Sequence, residues 1–178
     1  MSAPDTFGAP TVVTRGDAGP EAPLVVLLHG RGSHEREIIG LVDVLPEGPV
    51  YAAVRAPIAE EGGYAWFATR GIGRPLPESP RWTMDWFRDR LDAVAPAGRP
   101  VVLIGFSGGA AFAFAGGLLL DEPVRFAGAA LLAGTLPFDG GVPATPGRLA
   151  GSPSSSRRVT TTRRSRASCW TAPGVPDG

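Results

Sequence analysis

Apolar residues in this chain gather in two kinds of run. Leu24-Val25-Val26-Leu27-Leu28 and Val101-Val102-Leu103-Ile104 are continuous and do not alternate with polar residues. Runs of that kind suit parallel strands covered on both faces. Val50 to Val54 and Phe126 to Ala133 predict two further apolar strands. Between the strands, apolar residues recur at helical spacing. Ile38, Ile39, Leu41, Val42 and Leu45 form the stripe of one helix, with Ser33 as its cap, Glu35 and Glu37 at its start, and Pro46 and Gly48 at its end. Arg81 to Val94 predicts the clearest amphipathic helix. Trp82, Trp86, Leu91 and Val94 share its buried face with Phe87 at the flank, and Asp85, Arg88, Asp89 and Asp92 face solvent. A small-residue apolar segment, Ala111 to Leu120, predicts a third helix after the strand at Val101. Strands alternating with helices imply βαβ units, hence an α/β domain with a mainly parallel sheet.

Around this frame the chain changes character. Residues 1–22 are rich in Pro, Gly and Ala, and Thr11-Val12-Val13-Thr14 predicts one short edge strand in an otherwise ragged start. Glu60 to Pro80 reads as a long loop holding Tyr64, Trp66 and Phe67, and loops of that length in compact domains are often functional. The partial α/β domain is expected over 23–150, followed by a Ser/Thr/Arg-rich tail at 151–178 that reads as disordered.

Composition narrows the function classes. With 178 residues, 43% hydrophobic and 19% charged, the chain suits one soluble domain with a real core. No apolar run approaches the ~20 residues of a membrane span. A single cysteine, Cys169, forms no internal disulfide, so a cytoplasmic location is the default expectation. Two histidines and one cysteine are too few for a metal cluster, and no cofactor is expected. The zero net charge is uneven: residues 1–150 carry 12 Arg against 16 acids, and residues 151–178 carry 5 Arg against Asp177 alone. All 17 basic residues are Arg. The basic tail raises the alternative of a nucleic-acid binder, but it lacks interleaved aromatics apart from Trp170, and no nucleic-acid partner is expected.

The candidate chemistry sits where a strand meets a helix. Gly105-Phe106-Ser107-Gly108-Gly109 fits G-x-S-x-G, the turn that presents a nucleophilic serine at a strand-to-helix elbow. Gly105 and Gly109 lack the Cβ atoms that would clash in so tight a turn. Ser107 is the nucleophile candidate. The backbone N–H of Gly108 supplies one oxyanion donor, and the second is expected from Arg31 in His29-Gly30-Arg31-Gly32, where Gly30 and Gly32 permit close backbone approach. His29 closes a strand ahead of that loop, so a structural role is favoured over that of a base. His34 is placed in the first turn of a solvent-facing helix, and Asp139 reads as a solvated loop residue rather than an orienting acid.

Taken together, Val25 to Ser33, Arg55-Ala56-Pro57-Ile58, Gly63-Tyr64-Ala65-Trp66-Phe67, Gly105 to Ala110 and Leu136-Pro137 resemble the phospholipase/carboxylesterase family of α/β hydrolases. The resemblance spans roughly residues 23–140 and implies an α/β-hydrolase fold with helices on both faces of the sheet. It also implies hydrolysis of a small ester through an acyl-serine, with Trp66 and Leu136 near the substrate pocket. Gly108 stands where many members carry Gln. The family further requires an Asp and then a His after the serine, and this chain has no His after His34. Catalysis is therefore expected to be impaired, with the final strands and helices lacking. The alternative is a non-catalytic scaffold that binds small acyl compounds.

The tail carries a codon-level signal. Read one base earlier, every TCN serine codon becomes NTC, which encodes only Phe, Leu, Ile or Val. Ser152, Ser154, Ser155 and Ser156 then turn apolar, Thr160 to Thr162 become three Asp, and Arg164-Ser165 becomes Val-Pro. That shifted reading resembles the family's next strand and its acid-bearing loop. A frameshift near Gly151 is the expectation, with resequencing of the gene as its test. An apolar edge is then expected at 126–133, with poor solubility as the consequence.

Overall fold

A computed structural model describes residues 7–60, 62–71, 74–115 and 126–134. The tail at 151–178, with its shifted-frame reading, lies outside the described residues, as do Leu136 and Asp139. Five strands form the main sheet: β1 (Val12–Arg15), β2 (Leu24–Leu28), β3 (Val50–Val54), β6 (Val101–Phe106) and β7 (Gly128–Leu132). Their order is β1-β3-β2-β6-β7. Only the β1–β3 pair is antiparallel; β3–β2, β2–β6 and β6–β7 are parallel. The expected edge strand is present as β1, and β7 is the outermost described strand on the other side.

The unbroken apolar run of β2 follows from its central place. Leu24, Val26 and Leu28 point into one core, and Val25 and Leu27 into another, as side chains of a strand alternate between faces. All five residues are buried. On the first face lie α2 (Ser79–Val94) and α3 (Gly108–Phe112), through Met84, Phe87, Leu91 and Phe112. The second face is covered by α1 (Glu35–Ile38) and the 3-10 turn Ile39–Val44, through Ile39 with half-buried Ile38 and Val42.

Several expectations need correction. The first helix is not one α-helix: four α-helical residues give way to a six-residue 3-10 segment, and His34, not Ser33, stands at its N-cap. Glu35, in the first turn as expected, is fully buried. The second helix starts two residues before Arg81, because Pro80 falls in its first turn, where a missing N–H breaks no intrahelical bond. Its buried face is Thr83, Met84, Trp86, Phe87 and Leu91. Trp82, five residues from Phe87 and so about 140° around the helix, is half-buried. Val94, in the last turn, is 60% exposed.

The stretch read as loop contains a small antiparallel hairpin, β4 (Ile58–Glu60) with β5 (Gly63–Ala65). Ser33 bridges to Tyr64 across it. The hairpin therefore rests directly on the loop that follows β2.

Candidate active site

Strand order decides where a site can form. From β2 the chain crosses to β3 on one side, and later enters β6 on the other. The helix after β2 packs on one face of the sheet and the helix after β6 on the opposite face. Such a divergence opens a crevice beyond the carboxyl ends of the two strands. Leu28 pairs with Gly105, so the loops leaving β2 and β6 emerge at the same level.

Ser107 stands at the carboxyl end of β6 in a strained conformation, with φ 51° and ψ −112°. A positive φ is uncommon for a non-glycine residue and costs of order 1–3 kcal/mol. The strain is sustained from both sides. Ser107 donates its N–H to Leu132 O at 2.8 Å, and its carbonyl accepts the Ala111 N–H at 3.0 Å. The glycines at Gly105 and Gly109 are required by space. A Cβ on Gly105 would lie 2.5 Å from Gly109 O, and one on Gly109 would lie 2.2 Å from Leu28 O. The result is an exposed serine at the tip of a turn with no room to rearrange.

The loop after β2 meets this turn. A Cβ on Gly30 would lie 3.5 Å from Ser107 Cβ, and one on Gly108 would lie 3.2 Å from Arg31 N. The Arg31 and Gly108 amides are thus neighbours beside Ser107. As the first residue of α3, Gly108 has no intrahelical acceptor for its N–H. Gly32 differs from Gly30 in its surroundings. Nothing crowds it, but its φ of +76° favours glycine.

His29 anchors the base of the loop. It is fully buried, with Nδ1 2.7 Å from Gly30 O and Nε2 3.0 Å from the Ala56 N–H. Those partners fix the tautomer: Nδ1 carries the proton and donates, and Nε2 accepts. Burial lowers the imidazole pKa below its ordinary value, which keeps the ring neutral. Both nitrogens are engaged, so His29 is structural.

Trp66 lies beneath the same loop. It is 1% exposed, stacks on Phe112 at 4.7 Å, and donates its indole N–H to His29 O at 2.8 Å. Its aromatic character suits core and pocket equally, and only the packing separates the two.

Sequence reasoning missed one group entirely. Arg55 donates from Nε and Nη2 to the two carboxylate oxygens of Glu35 at 2.8 and 2.7 Å. The Arg55 hydrogen bonds hold the Glu35 carboxyl below its usual pKa, and the carboxylate in turn raises that of Arg55. Arg55 also donates to the Tyr64 hydroxyl at 3.2 Å, with its guanidinium carbon 4.6 Å from the ring centroid. Arg55 and Tyr64 stood in the sequence only as members of two resemblance motifs, with no sign that they would meet Glu35.

No helix among the described residues is long and apolar enough to cross a membrane. The described residues contain no group of three or more His, Cys, Asp or Glu arranged to hold a metal ion. No protein-family model matches the chain, and no curated protein matches it. Solved structures do. A carboxylesterase from Bacillus cereus is 24% identical with a TM-score of 0.64, over 72% of this chain and 61% of its own. A phospholipase/carboxylesterase from Dyadobacter fermentans is 22% identical with a TM-score of 0.55, over 76% and 64%. Acyl-protein thioesterase 2 from Zea mays is 25% identical with a TM-score of 0.55, over 73% and 63%. The fold is that of the α/β hydrolases. Its structural neighbours are carboxylesterase, phospholipase/carboxylesterase and acyl-protein thioesterase structures, and the chain spans less than two thirds of the length of each of these three.

Proposed function

We propose that this chain carries the nucleophile and oxyanion half of a serine ester hydrolase acting on a small ester. The observation that supports the reading best is Ser107, exposed at positive φ between a strand and a helix, with Gly108 close against the Arg31 amide. In this reading Ser107 Oγ attacks the ester carbonyl, and the Arg31 and Gly108 N–H groups donate to the oxyanion that develops. The alkoxide leaves with a proton, and water hydrolyses the acyl-serine.

The proton transfers need a base. The chain has two histidines: His29 has both nitrogens engaged, and His34 stands at the N-cap of α1 with Nε2 3.7 Å from Glu37. Neither is in hydrogen-bonding contact with Ser107 among the described interactions. Turnover by these 178 residues is accordingly slow, because Ser107 attacks without an assisting base.

The test is hydrolysis of a short-chain nitrophenyl ester by the chain and by Ser107→Ala. The expected result is a slow release above background that the substitution abolishes. Equal rates for the two proteins would overturn the esterase reading and leave a scaffold that binds acyl compounds.

A further inference from the structure

Catalysis by an oxyanion donor depends on where its N–H points, and the Arg31 amide sits in a loop without regular structure. What fixes it is the hairpin β4–β5. Gly32 donates its N–H to Tyr64 O at 3.0 Å, and Tyr64 donates its N–H to Ser33 O at 3.1 Å. Arg31 itself reaches the hairpin, bonding to the Glu60 carboxylate and donating to Phe67 O at 3.2 Å. The two chains are so close that a Cβ on Gly63 would lie 2.4 Å from Gly32 O. A three-residue strand cannot hold such a position unaided, because an isolated two-stranded hairpin is marginal in water.

Tyr64 is held from its side chain. Its hydroxyl accepts from Arg55, whose guanidinium also lies against the ring. Arg55 is fixed in turn by two bonds to Glu35, and bidentate pairing confers direction as well as attraction. Glu35 is fully buried and lies two residues beyond Ser33, so the chain of contacts closes on the loop where it began. We propose that Glu35, Arg55 and Tyr64 form a positioning unit that locks the hairpin onto the loop after β2 and so aims the Arg31 N–H at the oxyanion. None of the three touches the reacting atoms; they act through the backbone of Tyr64 on Gly32 and Ser33. The catalytic consequence rests on the esterase reading, whereas the order of the loop does not.

The test uses the full chain with two readouts. Arg55→Lys keeps the charge but removes the fork and the flat contact with the ring. Tyr64→Phe removes only the hydroxyl and preserves packing should the first variant fold poorly. In Arg55→Lys, hydrogen exchange at the Gly32 and Tyr64 amides is expected to rise about tenfold, as loss of a charge-assisted bond allows. Protection in β2 and β6 should not change. Nitrophenyl-ester kcat should fall by about tenfold with KM unchanged, the pattern of an interaction made in the transition state only. Tyr64→Phe should move both readouts in the same direction by less. Unchanged exchange at Gly32 and Tyr64 in both variants overturns the proposal. So does exchange that rises equally through β2 and β6, which marks a contribution to global stability alone. An unchanged kcat in a chain that Ser107→Ala inactivates overturns the catalytic part. Local exchange that rises while Ser107→Ala matches the parent rate supports the positioning unit and removes the esterase reading.

Discussion

At the scale of single residues, the site is governed by what is missing from two side chains. Gly105 and Gly109 face each other across the elbow, and a methyl group on Gly109 would collide with the carbonyls of Leu28 and His29, 2.2 and 2.6 Å away. Backbone at the centre of a sheet has nowhere to retreat. Gly109→Ala is therefore expected to destabilise the chain by about 3 kcal/mol, the upper range for overpacking, measured as the shift of a denaturant midpoint. The glycines and the serine were legible in the sequence, since G-x-S-x-G after an apolar strand carries its own steric logic. The roles of Glu35 and Trp66 were not. A carboxylate near a helix start usually faces water, and nothing local announces that Arg55, twenty residues later, will neutralise it. Trp66 could be placed only by knowing that Phe112 and His29 come to meet it.

At the scale of elements, period and length separated what could be read from what could not. The continuous runs at β2 and β6 identified central strands, since strands covered on both faces favour unbroken apolar runs. The α2 face was located within one turn. Its details slipped because Trp82 and Val94 are apolar yet lie off the packed stripe or beyond its end. The hairpin β4–β5 escaped because three-residue strands leave no periodicity to detect. The contact between α2 and α3 carries weight beyond its size. Phe112 is fully buried between Trp66, at 4.7 Å, and Phe87, at 5.8 Å. Phe112→Ala is expected to lower stability by about 3–5 kcal/mol. Because α3 also holds the Ser107 carbonyl, the same variant should lose ester hydrolysis per folded molecule, which activity corrected for the folded fraction would show.

At the scale of the whole molecule, two buried titratable groups make stability depend on pH in two steps. The His29 pKa is lowered in the folded chain by burial, so the unfolded chain takes up the proton first as pH falls. The stability contributed by the neutral ring is full above about 6.5 and is lost as pH drops below that value toward the folded pKa. Glu35, lowered by its bonds to Arg55, follows in a second window. Its contribution is full above about 4.5 and is lost as pH falls through the folded pKa. Denaturant midpoints are expected to hold steady from pH 8 to 7 and to begin to decline as pH falls below roughly 6.5. A second decline should follow below roughly 4.5. Replacing His29 with Gln should flatten the first step and leave the second.

The stacking of Trp66 has an optical consequence. Its indole is 1% exposed, bonded through its N–H to a carbonyl, and 5.4 Å from the His29 imidazole. A tryptophan so enclosed emits toward the blue, and a protonated imidazole beside it quenches the emission. Subtracting the spectrum of Trp66→Phe from that of the parent chain should isolate a band that dims as His29 takes its proton. The loop after β2 would then report its own loosening as light.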